Sequence, residues 1–297
     1  MANFSKSFFK IFNSNENSDT DRPVARKRKS SQSPEPINYK EHFLSMPLEE
    51  KRKLYACKDG FVTLNSDQLI QWAVYAKTKH LEDKWPKFKA DAEINGKILL
   101  FPGDITALEV DAIVNAANRR LAGGGGVDGA IHRAAGFHLA REATKLAPCE
   151  TGDAKITAGY RLPAKYVIHT VGPMGEYPKD LDSCYWCCLE LAKENQLRSI
   201  AFPCVSTGIY GYPSAKAARV ALAAIRDWLE ENKTQLDALI LCLFTREDVD
   251  AYHRFLPVYF PVAKVDDAQP PAVEPVVAAL VEELTLKVSI DNDEKLF

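Results

Sequence analysis

Two side chains able to act on water stand ten residues apart, Asn118 and Asp128, with a run of four glycines (123–126) between them. A carboxylate can orient or deprotonate a water molecule, and a nearby amide can donate to a hydroxyl of a bound ligand. Four consecutive glycines are costly in backbone entropy and are tolerated where the main chain must come close to something. Here the run leads through Val127 into a helical pattern that opens with Asp128. A glycine-rich loop feeding a helix start is an anion site, because free N–H groups and the positive end of the helix dipole point at one spot. The implied guest is a phosphate or diphosphate; a purely structural glycine turn is the alternative. Residues 124–129 satisfy G-x-G-x-x-G, but any glycine run does, and 118–122 separate it from the preceding strand. A P-loop is excluded, since no Gly-Lys-Ser/Thr follows.

An Asp at a helix N-terminus has its anion stabilised, which draws its pKa down; a bound diphosphate pushes the other way. Asp128 is therefore expected to position water more than to act as a strong base. His132 follows one helical turn later and faces the same side. It can tune the carboxylate, contact a ribose, or simply support the local structure.

The elements that must hold these groups alternate along the chain. Apolar, β-rich runs occur at 97–101, 112–115, 166–170, 199–203 and 239–244, and helical patterns at 128–145, 180–194, 214–232 and 249–255. Continuous apolar strands alternating with helices predict a sheet covered on both faces, a three-layer α/β/α domain. Ligands of such sheets sit outside the carboxyl ends of the strands, where Asn118, the glycine run, residues 206–211 and Phe244 fall. Residues 39–90 read as a charged helical extension. One helix is expected around 46–55, with Ser45 as N-cap and Pro47 early, and a second starting within 65–72. Residues 1–38 have the composition of a disordered basic arm, and 263–297 that of a flexible tail with a marginal amphipathic helix at 275–288.

Composition narrows the function classes. The 297 residues are 46% hydrophobic, enough for an ordinary core, and 38 Lys plus Arg against 40 Asp plus Glu leave no bulk positive charge for nucleic acid. No apolar run approaches the ~18 residues of a membrane span. Seven cysteines without paired spacing suggest a reducing compartment, and Cys184 and Cys187, although spaced C-x-x-C, read as core residues. Asp111, His169 and Cys204 read as structural groups at strand edges. No metal-ligand spacing and no Ser/His/Asp set occurs, so hydrolysis by water without metal or cofactor is the simplest chemistry. Arg26, Lys27, Arg28 and Lys29 resemble a nuclear-import cluster, while residues 1–12 could pass as a short transit peptide. The expected location is nuclear or cytoplasmic, with a mitochondrial address as the other reading.

Several motifs in one order resemble the macrodomain family, in the spelling of its MacroD-type branch. They are Gly103-Asp104-Ile105, Val114-Asn115-Ala116-Ala117-Asn118, the 123–129 loop and Ile131-His132-Arg133-Ala134-Ala135-Gly136. Further on come Gly152-Asp153-Ala154-Lys155-Ile156-Thr157, Tyr166-Val167-Ile168-His169-Thr170-Val171-Gly172-Pro173 and Phe202-Pro203-Cys204-Val205-Ser206-Thr207-Gly208-Ile209-Tyr210-Gly211. The likeness spans roughly 91–260, and it implies a macrodomain over 91–262 whose central sheet is mixed. It implies that Asp104 accepts from an adenine amine with the Ile105 amide facing the ring, although Asp104 also suits an N-cap. Phe244 would stack on the adenine. Gly124, Gly125, Gly126 and Val127 on one side, and Ser206, Thr207, Gly208, Ile209 and Tyr210 on the other, would hold a diphosphate, with Tyr210 against the distal ribose. Asn118 and Asp128, helped by His132, would be the catalytic group.

The resemblance implies removal of mono-ADP-ribose from acidic side chains of modified proteins, and deacetylation of O-acetyl-ADP-ribose. ADP-ribosylated proteins would be the partners, ADP-ribose the product, and the protein a monomer away from membranes. The rival reading is a non-catalytic ADP-ribose reader; a second rival, a nucleic-acid binder led by the basic arm, is not favoured by the charge balance.

Overall fold

The structure, a computed structural model, describes residues 38–81 and 86–263. The arm at 1–37 with its basic cluster, and the candidate helix at 275–288, lie outside the described residues. In chain order the elements are α1 (Tyr39–Ser45), α2 (Leu48–Arg52), β1 (Val62–Thr63), β2 (Ile70–Gln71), α3 (Trp72–Thr78), α4 (Ala92–Gly96) and β3 (Ile98–Phe101). A 3-10 turn (Ile105–Ala107), β4 (Leu108–Glu109), β5 (Ala112–Ala116), α5 (Gly126–Ala135), α6 (Phe137–Leu146), β6 (Ala154–Ala158) and β7 (Tyr166–Thr170) follow. The last are α7 (Pro178–Glu194), β8 (Ser199–Pro203), α8 (Ser214–Glu231), β9 (Ala238–Cys242) and α9 (Arg246–Tyr259).

Seven strands form one sheet in the order β2-β3-β9-β8-β5-β7-β6. The five inner strands are parallel, and the two edge strands, β2 and β6, run antiparallel to their neighbours. Successive side chains leave a strand on opposite faces, and here both faces are buried. Ala112 and Val114, with Leu239 and Leu241, pack among α7, α8 and α9 around Trp228 and Tyr185. Ile113, Ile240 and Cys242 join the other face, under Ile131 of α5 and Leu139 of α6. The expected three-layer α/β/α architecture with a mixed sheet is what these clusters build.

Four local expectations need correction. The pattern at 128–145 is two helices. Gly136, at φ +84, ends α5 by donating its N–H to His132 O at 3.0 Å and starts α6 at once, the left-handed cap that glycine supplies. That first helix begins at Gly126, which places Asp128 third in its first turn rather than at its opening. Ser45 is not an N-cap: it is the last residue of α1, and the helix expected around 46–55 runs Leu48–Arg52 with Pro47 in the cap position. The second helix of the extension starts at Trp72, at the end of its expected range, after Ile70 and Gln71 pair with Leu100 and Leu99 as an edge strand. The strand expected at 239–244 stops at Cys242, so Phe244 lies beyond it.

The extension is clamped to the sheet domain. Lys51, buried in α2, donates to the carbonyls of Ala164 (3.2 Å) and Pro163 (3.5 Å), and burial pushes its pKa down to about 8. Arg52 grips both oxygens of Glu109 at 2.7 and 2.9 Å and, with the Tyr55 hydroxyl, holds that carboxyl below its ordinary pKa.

Candidate functional site

A cleft of about 620 Å³ opens at the carboxyl ends of the inner strands. It brings together Asp104 and Ile105, Asn118, the Gly124–Asp128 stretch, the 206–210 loop and Phe244. Every residue proposed from the sequence except His132 lines it. His132 stands just behind, with Nε2 3.4 Å from Asp128 Oδ1, too poorly aligned to bond and left without a hydrogen-bond partner.

The glycine run lies where α5 begins. Gly125 is the N-cap and has no side chain to occupy the orphan amides of the first turn, so those N–H groups remain for a ligand. Close approach explains the glycines. A Cβ on Gly124 would stand 3.2 Å from Asp128 Oδ2, and one on Gly125 only 2.9 Å from Ile209 Cδ1. Ile209 therefore reaches across from the 206–210 loop to touch the glycine run, and the two loops face each other as a diphosphate clamp requires. The second loop is shaped with equal care. Ser206 takes φ +69, and its hydroxyl is buried without a partner. A Cβ on Gly172 would come within 2.1 Å of that oxygen, which accounts for Gly172. Thr207 uses its hydroxyl hydrogen on Cys204 O (3.1 Å), so its backbone N–H is the donor it offers an anion.

Asp128 is the best-held group in the cleft. Asn115 Nδ2 donates to Oδ1 at 2.8 Å and Asn118 Nδ2 to Oδ2 at 3.3 Å. Asn118 is itself fixed, donating to Gly123 O at 2.8 Å and accepting from Arg120 N–H at 3.0 Å. Its amide thus orients the carboxylate and the glycine run before any ribose arrives. Burial raises the Asp128 pKa, against the pull of the Asn115 hydrogen bond and of His132. The downward drift expected from the helix N-terminus is overturned because the carboxylate, 4% exposed, has lost its water. Burial likewise lowers His132, against the attraction of Asp128. Burial, together with the field of Asp128, raises the pKa of the Tyr210 phenol.

Asp104 does what its N-cap reading required, accepting from Thr106 N–H at 2.9 Å; a carboxylate keeps acceptor capacity beyond one bond, and Asp104 also lines the cleft. Phe244, 66% exposed, forms part of the wall at that end. Residues not singled out as site groups from the sequence also line the cleft: Arg133, Gly172, Cys204, Thr245 and Asp248. Asp248 is buried, its Oδ1 has no hydrogen-bond partner, and its N–H bonds the Thr245 cap at 3.1 Å. Cys204, read as structural, sits in the wall. Arg133 was legible as part of the motif after the glycine run; Asp248 carried no signal beyond an acidic first turn. Among the described residues no three His, Cys, Asp or Glu side chains are grouped to hold a metal ion, and no helix is long and apolar enough to cross a membrane.

Behind the cleft, His169 is fully buried, and burial pushes its pKa down to about 3. Its value lies below that of an unfolded histidine, ~6.5, so the unfolded chain binds the extra proton first as pH falls. Stability contributed by this group is complete above about pH 6.5 and is lost progressively toward pH 3, with about 2 kcal/mol gone by pH 5. The urea midpoint of the protein is expected to drop between pH 7 and pH 5, and that slope to be shallower in His169→Gln.

The Macro domain family model matches residues 114–221. Mouse ADP-ribose glycohydrolase MACROD1 is 52% identical over 221 residues, covering 72% of this chain and 68% of that protein. Human ADP-ribose glycohydrolase MACROD2 is 48% identical over 232 residues, 75% of this chain and 54% of that protein. Among solved structures, the Trypanosoma brucei macrodomain in complex with ADP-ribose superposes with a TM-score of 0.57 at 39% identity, covering 74% of this chain and 91% of that one. With a relative of this identity matched over most of both chains, and a sheet, cleft and clamp built as described, the chain belongs to the macrodomain family.

Proposed function

We propose that the protein is an ADP-ribose-binding hydrolase that releases mono-ADP-ribose from acidic side chains of modified proteins and deacetylates O-acetyl-ADP-ribose. The observation that carries the reading is the buried Asp128 carboxylate, held by two amides at the edge of a clamp of backbone N–H groups. A reader module needs the clamp alone. A carboxylate gripped on both oxygens and kept from bulk water is an expensive feature, and it has an evident use beside the bond to be broken.

In this reading the diphosphate lies between the first turn of α5 and the 206–210 loop. The adenine reaches Asp104 and Phe244, and the distal ribose meets Asn118, Asp128 and Tyr210. Asp128 steers a water molecule toward the ester-linked sugar, and the substrate's own phosphate oxygen shares the proton transfer. The relatives named ADP-ribose glycohydrolase and the relative crystallised with ADP-ribose support this assignment.

The test is incubation with an acceptor protein carrying labelled mono-ADP-ribose on acidic side chains. Label released over many turnovers is the expected result; label retained one-to-one on the protein would make it a reader instead. Separately, Phe244→Ala is expected to weaken ADP-ribose binding roughly 5- to 100-fold by calorimetric titration, the usual cost of losing an aromatic platform under a base.

A further inference from the structure

Asn115 faces His169 directly in the parallel β5–β7 register, and Thr157 of β6 lies diagonally across from His169 in the antiparallel β6–β7 pair. All three are 0% exposed. Asn115 Nδ2, which bonds Asp128 Oδ1, also stands 3.0 Å from His169 Nδ1, and His169 Nε2 stands 2.9 Å from Thr157 Oγ1. Donor and acceptor bookkeeping then leaves one arrangement for an ionised Asp128. The Asn115 amide must turn its NH2 toward the carboxylate, since the reverse would set two oxygens 2.8 Å apart. Its second hydrogen needs an acceptor, so His169 Nδ1 carries no proton. The ring proton is on Nε2 and goes to Thr157. This arrangement leaves Asn115 Oδ1 buried with no partner, a cost of about one lost hydrogen bond. An amide left to itself would turn to relieve it.

We propose that His169 is a positioning residue for the hydrolytic site: fixed by Thr157 in its Nε2–H form, it accepts from Asn115 and holds that amide's donor on Asp128. The proposal rests on the hydrolase reading for its kinetic consequence, but not for its geometry. The relay keeps the carboxylate aimed and assists its ionised form. The titratable or charged groups facing Asp128 are His132 from its own helix and Tyr210 from the opposite loop, with His169 behind Asn115 and Arg133 further along the cleft wall.

Nitrogen-15 NMR of the free protein between pH 5.5 and 8 reads the tautomer. His169 with a protonated Nε2 and a bare Nδ1 is the expected spectrum; a protonated Nδ1 overturns the proposal whatever the enzyme does. Kinetics reads the consequence. In Thr157→Val, a near-isosteric change checked for folding by circular dichroism, kcat is expected to fall about tenfold. KM and the ADP-ribose Kd should stay within about twofold, and the acid limb of the kcat profile should move to higher pH. Thr157→Ser, which keeps the hydroxyl, should restore kcat and the limb. A folded Thr157→Val with the parent kcat and acid limb overturns the proposal, as does a change confined to KM. A parent without turnover would instead fail the hydrolase reading, a result distinct from a wrong tautomer.

Discussion

Asp128→Asn is expected to lower turnover of ester-linked ADP-ribose by an amount up to the roughly 10²–10⁴-fold range of general-base catalysis, while ADP-ribose still binds. The two effects separate because different atoms carry them. In the proposed reading, binding rests on backbone N–H groups of the α5 first turn and the 206–210 loop, which the substitution leaves in place. Water steering would rest on the Asp128 carboxylate, whose two oxygens accept from Asn115 and Asn118. An amide at 128 has one acceptor and one donor, so one of those two contacts becomes donor against donor. The parent kcat should fall as pH drops through the Asp128 pKa, and burial places that limb above the ordinary carboxylate range of ~4. Stopped turnover assays beside calorimetric titration check both halves, and complete loss of binding in the variant would contradict the positioning role.

Gly129→Ala is expected to have the second large effect, on binding. Gly129 lies one residue after Asp128 inside α5, and a Cβ there would stand 2.3 Å from the carbonyl oxygen of Gly124 and 3.0 Å from Arg133 Nη1. The arginine can swing aside, but the carbonyl belongs to the clamp and must move by about an ångström to reach ordinary contact. Misaligning a hydrogen bond to a charged phosphate costs about 1.5–3 kcal/mol, or roughly 10- to 100-fold in affinity. ADP-ribose affinity should therefore fall by about that factor, and the thermal midpoint should fall as well, because Gly129 is buried and the clash is with backbone rather than with the end of a flexible side chain. A variant that binds like the parent would show that the loop tolerates the shift and that its amides do not set the affinity.

The sequence made the inner sheet legible and its margins obscure, for a physical reason. Val114, Ile168, Ile200 and Leu241 belong to strands buried on both faces, and such strands read as near-continuous apolar runs, interrupted here where Asn115, His169 and Thr170 stand. Edge strands are under weaker demands: β2 is two residues long, and β6 carries Lys155 at its second position. The break at Gly136 was hidden because apolar spacing continues through it. In the site, Asn118, Asp128 and the glycines stand out since they are close in sequence. His169 and Thr157 acquire their role only through strand register, and each looks alone like a core polar residue. The direction of the Asp128 pKa was misjudged because the helix dipole is visible in a sequence, whereas desolvation depends on what folds over the carboxylate.

The most direct measurement is a crystal structure of the protein soaked with ADP-ribose. The diphosphate should lie between the amides of 124–127 and those of 207–210, with adenine against Phe244 and Asp104. The anomeric carbon of the distal ribose should face a water molecule held by Asp128. A nucleotide bound in the reverse orientation, or outside this cleft with Asp128 turned toward bulk solvent, would contradict it.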